Sequence, residues 1–174
     1  MTLSFRRTVA TVAVTVASLA ALAAAPASAT PSAPASLGPI RNISGSVDNT
    51  GGAITELAAA DPAGNRLTNT TFTTVFSGGM TGTGIHSFID SVRPDNSAVS
   101  TGMARFTGAV EGRTGTFQLQ SQATTSTAGS ITAYWCIIGS SATGQLAGIT
   151  GCGTVKHVAG LHAEYTLTYR LPRH

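Results

Sequence analysis

Two glycine-punctuated stretches constrain the fold of this chain most strongly: RFTGAVEGRTGTFQLQ (residues 105–120) and TGQLAGITGCG (residues 143–153). In the first, apolar and polar residues alternate on both sides of a polar turn at Gly112 and Arg113, which predicts a β-hairpin with one apolar face. In the second, four glycines interrupt a short apolar run. This pattern predicts a strongly bent strand at a barrel corner or bulge, where no Cβ fits.

The rest of the chain repeats the same short-strand pattern. Alternation and turn signals place nine candidate strands, at residues 40–47, 53–58, 69–77, 82–92, 98–110, 114–125, 130–139, 143–149 and 162–171. Turns rich in Asp, Asn, Pro and Gly separate them. Sequential short strands favour a meander that closes into a barrel and so removes its exposed edges.

Four segments carry a family resemblance: FSGGMTGTG (76–84), FTGAVEGRTGTFQLQ (106–120), ATGQLAGITGCG (142–153) and YTLTY (165–169). The order and the amino-acid sequences of these segments resemble those of the DUF3224 family of small actinobacterial and proteobacterial proteins. The resemblance implies an all-β fold, an eight-stranded antiparallel meander barrel that is allene oxide cyclase-like and calycin-like, in a secreted actinobacterial member. Because the nine candidate strands exceed these eight, we expect one of the first two segments to be an edge addition or a loop. The family has no established activity. Many relatives carry a Glu and a His at positions that correspond to Ala104 and Ser121, so the resemblance lowers the expectation of catalysis here.

The amino terminus has the pattern of an export signal. Two arginines, an apolar run over residues 9–25 and a small-x-small site ending at Ala29 predict a signal peptide over 1–29. An Ala/Pro/Ser-rich spacer then covers 30–39, and one β-barrel domain covers 40–174. We therefore expect a secreted, extracellular protein with no membrane attachment after cleavage.

Charge and cysteine content agree with this prediction. Of the ten basic residues two lie in the signal segment, so eight scattered basic residues remain against seven acidic ones, which gives no electrostatic basis for nucleic-acid binding. The only two cysteines, Cys136 and Cys152, are an even number in a chain bound for an oxidising compartment, which predicts a disulfide. Two buried free thiols are the alternative.

The aromatic residues suggest where a ligand would bind. If the barrel holds a small molecule, Trp135, Phe117 and Tyr165 are candidate wall residues, and the alternative is that they fill the interior. Arg105 is the polar candidate beside Trp135, because an inward arginine in an apolar barrel needs an anionic or carbonyl partner. The alternative is an outward arginine paired with Glu111 or with solvent.

No pattern of residues predicts a catalytic or metal centre. There is no G-x-S-x-G elbow, and His86 and Asp90 stand four residues apart on one strand, about 13 Å between Cα atoms, too far for a hydrogen-bonded pair. His162 and Glu164, with help from His157, make only a weak metal set, and surface positions explain them better. We predict no catalytic residue, no metal and no cofactor.

Two classes of function remain open. The favoured one is a barrel that binds a small apolar or aromatic molecule or a partner without catalysis. The alternative is a cyclase or isomerase that acts by confining a flexible substrate. Enzymatic activity and oligomeric state are not decided by the sequence.

Overall fold

The computed structural model of the chain describes residues 36–160 and 162–173. The predicted signal peptide, its cleavage site after Ala29 and the first part of the spacer lie outside the described residues, so they stay predictions. Within the described part, no helix is both long and apolar enough to cross a membrane.

Eight antiparallel strands close into one barrel, in which every strand pairs with its neighbours in sequence and β1 pairs with β8. The predicted fold class, an all-β meander barrel, is confirmed. The strands are β1 Arg41–Ala58, β2 Arg66–Gly78, β3 Met80–Val92, β4 Ala98–Val110, β5 Arg113–Thr125, β6 Ile131–Ile138, β7 Thr150–Ala159 and β8 His162–Arg170.

The first two predicted strands are one long strand, β1, and the prediction of a break between them is wrong. The polar residues that suggested a turn form a bulge instead, because the register with β2 shifts between Asn49 and Gly51. The Asn49 side-chain oxygen accepts a hydrogen bond from the Gly51 backbone N–H at 2.9 Å. β1 pairs with β8 only as far as Asp48 and continues along β2 to Ala58.

The predicted strand at 143–149 is also wrong. This segment contains a short 3-10 helix at Gly144–Leu146, and Gly144 and Gly148 adopt φ values of +62° and +75°. These left-handed conformations do not occur in a regular strand and suit glycine. The true seventh strand, Thr150–Ala159, begins one residue after the predicted strand ends.

The disulfide between Cys136 and Cys152 is present in the structure, with a Cα–Cα distance of 4.1 Å. The two residues stand directly opposite each other in the β6–β7 register. Both are half-buried. The bond therefore ties the strand before the 3-10 segment to the strand after it.

The two ends of the barrel differ. We call the end that carries the β3–β4, β5–β6 and β7–β8 turns the upper end, and the opposite end the lower end. Leu146 and Ile149, from the connection between β6 and β7, are fully buried and pack into the core. The lower half is solid, filled by Met80, Phe106, Val110, Phe117, Leu167, Tyr169 and Leu171.

Candidate functional site

The upper half of the barrel encloses a cavity of about 690 Å³. Residues of three upper-end turns stand at its mouth: Asn96, Gly129 and Gly160. The inward positions of the strands line it, because alternate residues of a strand point to the same face. The solid lower half forms its floor.

Aromatic rings cover one side of this cavity, and we call Phe72, Phe76, His86, Phe88 and Trp135 the aromatic wall. The ring centroids of Phe72 and His86 are 4.4 Å apart and those of Phe72 and Phe88 are 5.8 Å apart, with interplanar angles of 5° and 10°. Phe76 and Trp135 stack at 6.0 Å and 8°. The rings of the aromatic wall therefore stack on one another within the lining.

Glycines make room for this wall. A Cβ on Gly102 of β4 would lie 2.7 Å from the Phe88 ring, and a Cβ on Gly84 of β3 would lie 2.7 Å from His86 Nε2. The Trp135 indole is fixed in the same way. Its N–H donates to the Thr166 carbonyl at 3.2 Å, and a Cβ on Gly153 would lie 2.4 Å from the indole nitrogen.

His86 contributes a polar edge to the aromatic wall. Its Nε2 is hydrogen-bonded to the Thr74 hydroxyl at 2.9 Å, and both residues are buried. Burial lowers the pKa of His86 to about 4. The imidazole is therefore neutral at pH 7 and can either donate or accept one hydrogen bond at Nδ1.

Asp90 is the acidic residue of the cavity lining, and it is buried on β3 near the mouth. One carboxylate oxygen, Oδ2, accepts hydrogen bonds from the Thr70 hydroxyl at 2.6 Å and the Thr68 hydroxyl at 3.2 Å. Arg66 is the basic residue at the mouth, and its guanidinium bonds to Glu56 at 3.2 Å. His86 and Asp90 thus bond to different threonines, as their predicted separation requires.

The structure places the four ligand-binding residues predicted from the sequence in different parts of the barrel. Trp135 lines the cavity. Phe117 and Tyr165 are fully buried in the core, and neither lines the cavity. The Tyr165 hydroxyl accepts from the Met80 N–H at 2.7 Å and donates to the Ser77 carbonyl at 3.1 Å. A ligand-binding role for Phe117 and Tyr165 therefore stays a prediction that the lining of this cavity does not support.

Arg105 lies on the outer surface of the barrel. It is exposed, while its neighbours Ala104 and Phe106 on β4 point inward and are buried. Arg105 therefore points outward, which is the alternative that the sequence left open, and not into the barrel. Glu111, the partner suggested for an outward Arg105, is instead paired with Arg41 and accepts a hydrogen bond from the Tyr169 hydroxyl.

The two histidines considered as metal ligands from the sequence, His157 and His162, are hydrogen-bonded to other residues. His162 bonds to Asp48 at 2.7 Å, and His157 bonds to the Gly160 carbonyl at 2.8 Å. Across residues 36–160 and 162–173, no group of three or more His, Cys, Asp or Glu side chains is placed to hold a metal ion. Ala104 and Ser121, the two positions at which the family resemblance predicted a difference from many relatives, both line the cavity.

Sequence reasoning missed most of the aromatic wall and the carboxylate. Phe72, His86, Phe88 and Asp90 share inward positions on β2 and β3. The available signal was the period-2 spacing of His86, Phe88 and Asp90, since three such residues alternating with Ser87 and Ile89 define one face of a strand.

Comparison with known proteins identifies the family. Residues 42–169 match the family described as a protein of unknown function, DUF3224. The chain belongs to the DUF3224 family. Among curated proteins nothing matches it.

Two solved structures that are similar to this chain are distant from it in sequence. A DUF3224 protein of unknown function from Shewanella oneidensis MR-1 superposes with a TM-score of 0.66 at 16% identity, over 78% of this chain and 100% of that one. A β-barrel-like protein from Acinetobacter baumannii AYE gives a TM-score of 0.47 at 14% identity, over 76% of this chain and 97% of that one. At such identities the Shewanella relative of this DUF3224 protein supports the fold alone.

Proposed function

We propose that this DUF3224 protein binds a small, planar, largely apolar molecule in the upper half of its barrel, without catalysis. The observation that carries the proposal is the cavity itself, which is open at one end, solid at the other and walled by parallel rings. Small-molecule sites commonly have volumes of about 300 to 1,000 Å³, and this cavity falls in that range.

The chemistry of the lining supports the same conclusion. Apart from the aromatic wall, small or aliphatic residues such as Ala104, Leu119, Ala123 and Ala133 line the interior. Aromatic side chains favour a planar aromatic ligand, since offset-stacked or edge-to-face contacts with its ring add to the burial of apolar area. His86 and Asp90 then supply directional hydrogen bonds that fix its orientation.

Tryptophan fluorescence provides a direct test, because Trp135 is the only tryptophan in the chain and lines the cavity. We expect a neutral planar probe, 2-naphthalenemethanol, to change the emission of Trp135 in a saturable manner. Isothermal titration calorimetry gives the stoichiometry independently, and we expect one probe per barrel.

A matched pair of variants distinguishes cavity binding from surface binding. Ala123→Phe adds a ring inside the cavity, while Thr124→Phe adds the same ring at the next, exposed position of β5. The proposal requires that Ala123→Phe weaken probe binding about tenfold or more while Thr124→Phe leaves it unchanged. Equal effects of the two variants, or no saturable binding to the unaltered protein, would contradict it.

The alternative from the sequence, a cyclase or isomerase that confines a flexible substrate, would use the same cavity, as the resemblance to allene oxide cyclase-like barrels implies. We favour binding because the two polar groups on the β3 side already hold fixed partners, Thr74 for His86 and Thr68 with Thr70 for Asp90. Product analysis separates the two functions, since a binder returns its ligand unchanged.

We also infer that the barrel acts outside the cell. The disulfide is typical of proteins in oxidising compartments, and the sequence pattern of residues 1–29 is that of a signal peptide. Mass spectrometry of protein from the culture medium tests this inference. We expect a chain that begins at Thr30, and a secreted chain that begins at Met1 would contradict cleavage.

A further inference from the structure

We propose that the ligand of the cavity is an organic cation, a protonated amine joined to a planar apolar body, and that Asp90 binds its ammonium group. This inference rests on the proposed binding function and specifies the chemistry of its ligand.

The first observation is the placement of the Asp90 carboxylate. The residue is buried in the cavity lining, and both of its hydrogen bonds from protein groups go to a single oxygen, Oδ2. Among the described residues, no protein donor bonds to the second oxygen, Oδ1. Every fully buried side-chain oxygen or nitrogen in the described residues has a hydrogen-bond partner. Because Oδ1 has none, it is not fully buried and is accessible to a ligand. The Asp90 carboxylate therefore keeps acceptor capacity for a ligand.

The second observation is the charge around this carboxylate. A buried carboxylate is costly unless a cation or several donors compensate it. The ion pairs found among the described residues do not include Asp90. Thr68 of β2 is the register partner of Asp90, and Arg66, the basic residue of the mouth, lies two residues nearer the upper end of β2. The Arg66 guanidinium bonds to Glu56. A ligand can therefore supply the positive charge that compensates the Asp90 carboxylate.

The third observation is the aromatic wall beside Asp90. Phe88 and Asp90 are two residues apart on the same face of β3, about 7 Å between Cα atoms. An ammonium group bound to Asp90 therefore lies close to the Phe88 ring, and the face of an aromatic ring attracts cations. Two histidines also line the cavity, His86 and His157, but His86 is buried and neutral at pH 7 and adds no competing positive charge.

These positions also fix the direction of binding. Asp90 stands two residues from the upper end of β3, whereas His86 and Trp135 lie deeper. The ammonium group would lie near the mouth, where it keeps some contact with water. The planar body would extend inward along Phe72 and His86 towards Trp135.

Three probes with one ring system test the charge preference by calorimetry at pH 7. They are 2-naphthylmethylamine, which is protonated, 2-naphthalenemethanol, which is neutral, and 2-naphthoate, which is anionic. We expect the unaltered protein to bind the amine at least about tenfold more tightly than the alcohol, and the alcohol more tightly than the carboxylate. Preference for the carboxylate would point to Arg66 and overturn the inference.

The variant Asp90→Asn removes the charge and keeps an oxygen that can accept from both threonine hydroxyls. We expect it to bind the amine and the alcohol with similar affinities, so that the preference for the amine is lost. Saturable binding of the alcohol to this variant shows that the cavity has folded. Glu164→Gln, which removes an exposed carboxylate on β8 outside the cavity lining, is the matched control and should keep the preference.

Failure of this inference and failure of the proposed function give different results. An amine that binds no more tightly than the alcohol, or a preference that survives in Asp90→Asn, overturns the role of Asp90 while cavity binding stands. If none of the three probes binds, the proposed function fails and the inference fails with it.

Discussion

Reduction of the Cys136–Cys152 bond should lower the free energy of unfolding by about 3 kcal/mol. The bond closes a loop with a sequence separation of 16 residues. The chain-entropy relation gives about 10 cal/mol/K for a loop of this length, or about 3 kcal/mol at 25 °C. Both cysteines are half-buried, and neither belongs to the hydrophobic core. The loss should therefore come from the unfolded state and not from a cavity in the core.

Urea denaturation of the oxidised and reduced protein, monitored by Trp135 fluorescence, measures this difference. The double variant Cys136→Ala/Cys152→Ala controls for the reductant, because its stability should equal that of the reduced protein and should not respond to reductant. A difference below about 1 kcal/mol would refute the entropic account of this bond. A double variant much less stable than the reduced protein would show that the side chains themselves stabilise the fold by packing.

Three further predictions concern the interior. Gly153→Ala should destabilise the barrel by at least about 2 kcal/mol and shift Trp135 emission, because the added Cβ would lie 1.9 Å from the Thr166 carbonyl and 2.4 Å from the indole nitrogen; normal stability in urea denaturation would contradict it. Tyr165→Phe should cost about 2 kcal/mol, because the buried Met80 N–H loses its acceptor, and an unchanged unfolding midpoint would count against this hydrogen bond. His86 has a pKa of about 4 when folded and an ordinary value of 6.5, so the unfolded chain binds the proton first as pH falls. Its contribution to stability is complete above about pH 6.5 and is lost as pH falls towards 4; NMR titration of His86 should give the low pKa, and His86→Phe should remove this part of the pH dependence.

The fold was predictable because alternation and turn chemistry are local. The hairpin of β4 and β5 was recognised from residues 105–120, although its turn is Glu111–Gly112, both with positive φ, and not Gly112–Arg113. The bulge at Asn49 was misread because its side chain makes the same local hydrogen bond in a bulge as in a turn. The strand Thr150–Ala159 was missed because Gly151 and Gly153 weaken its pattern. Those glycines are required by close packing against Tyr169, Thr166 and Trp135, which the sequence does not display.

The candidate site was less predictable than the fold, and the reason is depth along the barrel. Period-2 spacing indicates which residues point inward, so Trp135, Phe117 and Tyr165 were all recognised as interior residues. It does not indicate which of them lie in the solid half. The 3-10 helix at Gly144–Leu146 places Leu146 in the core of the lower half, whereas the sequence pattern predicts a strand there. The orientation of Arg105 was open for a related reason, since the glycines around it blur the alternation.

The indole N–H resonance of Trp135 offers the most direct test of the central claim, that the upper half of the barrel is a ligand cavity. The chain contains one tryptophan, so an ¹⁵N-labelled sample gives a single indole signal that needs no assignment. We predict that titration with 2-naphthalenemethanol shifts this signal in a saturable manner, together with amides of Ser121 and Ala133, while amides of Phe117 and Tyr169 stay in place. An indole signal that does not move at saturating probe, or shifts confined to exposed positions such as Arg105, would contradict the claim.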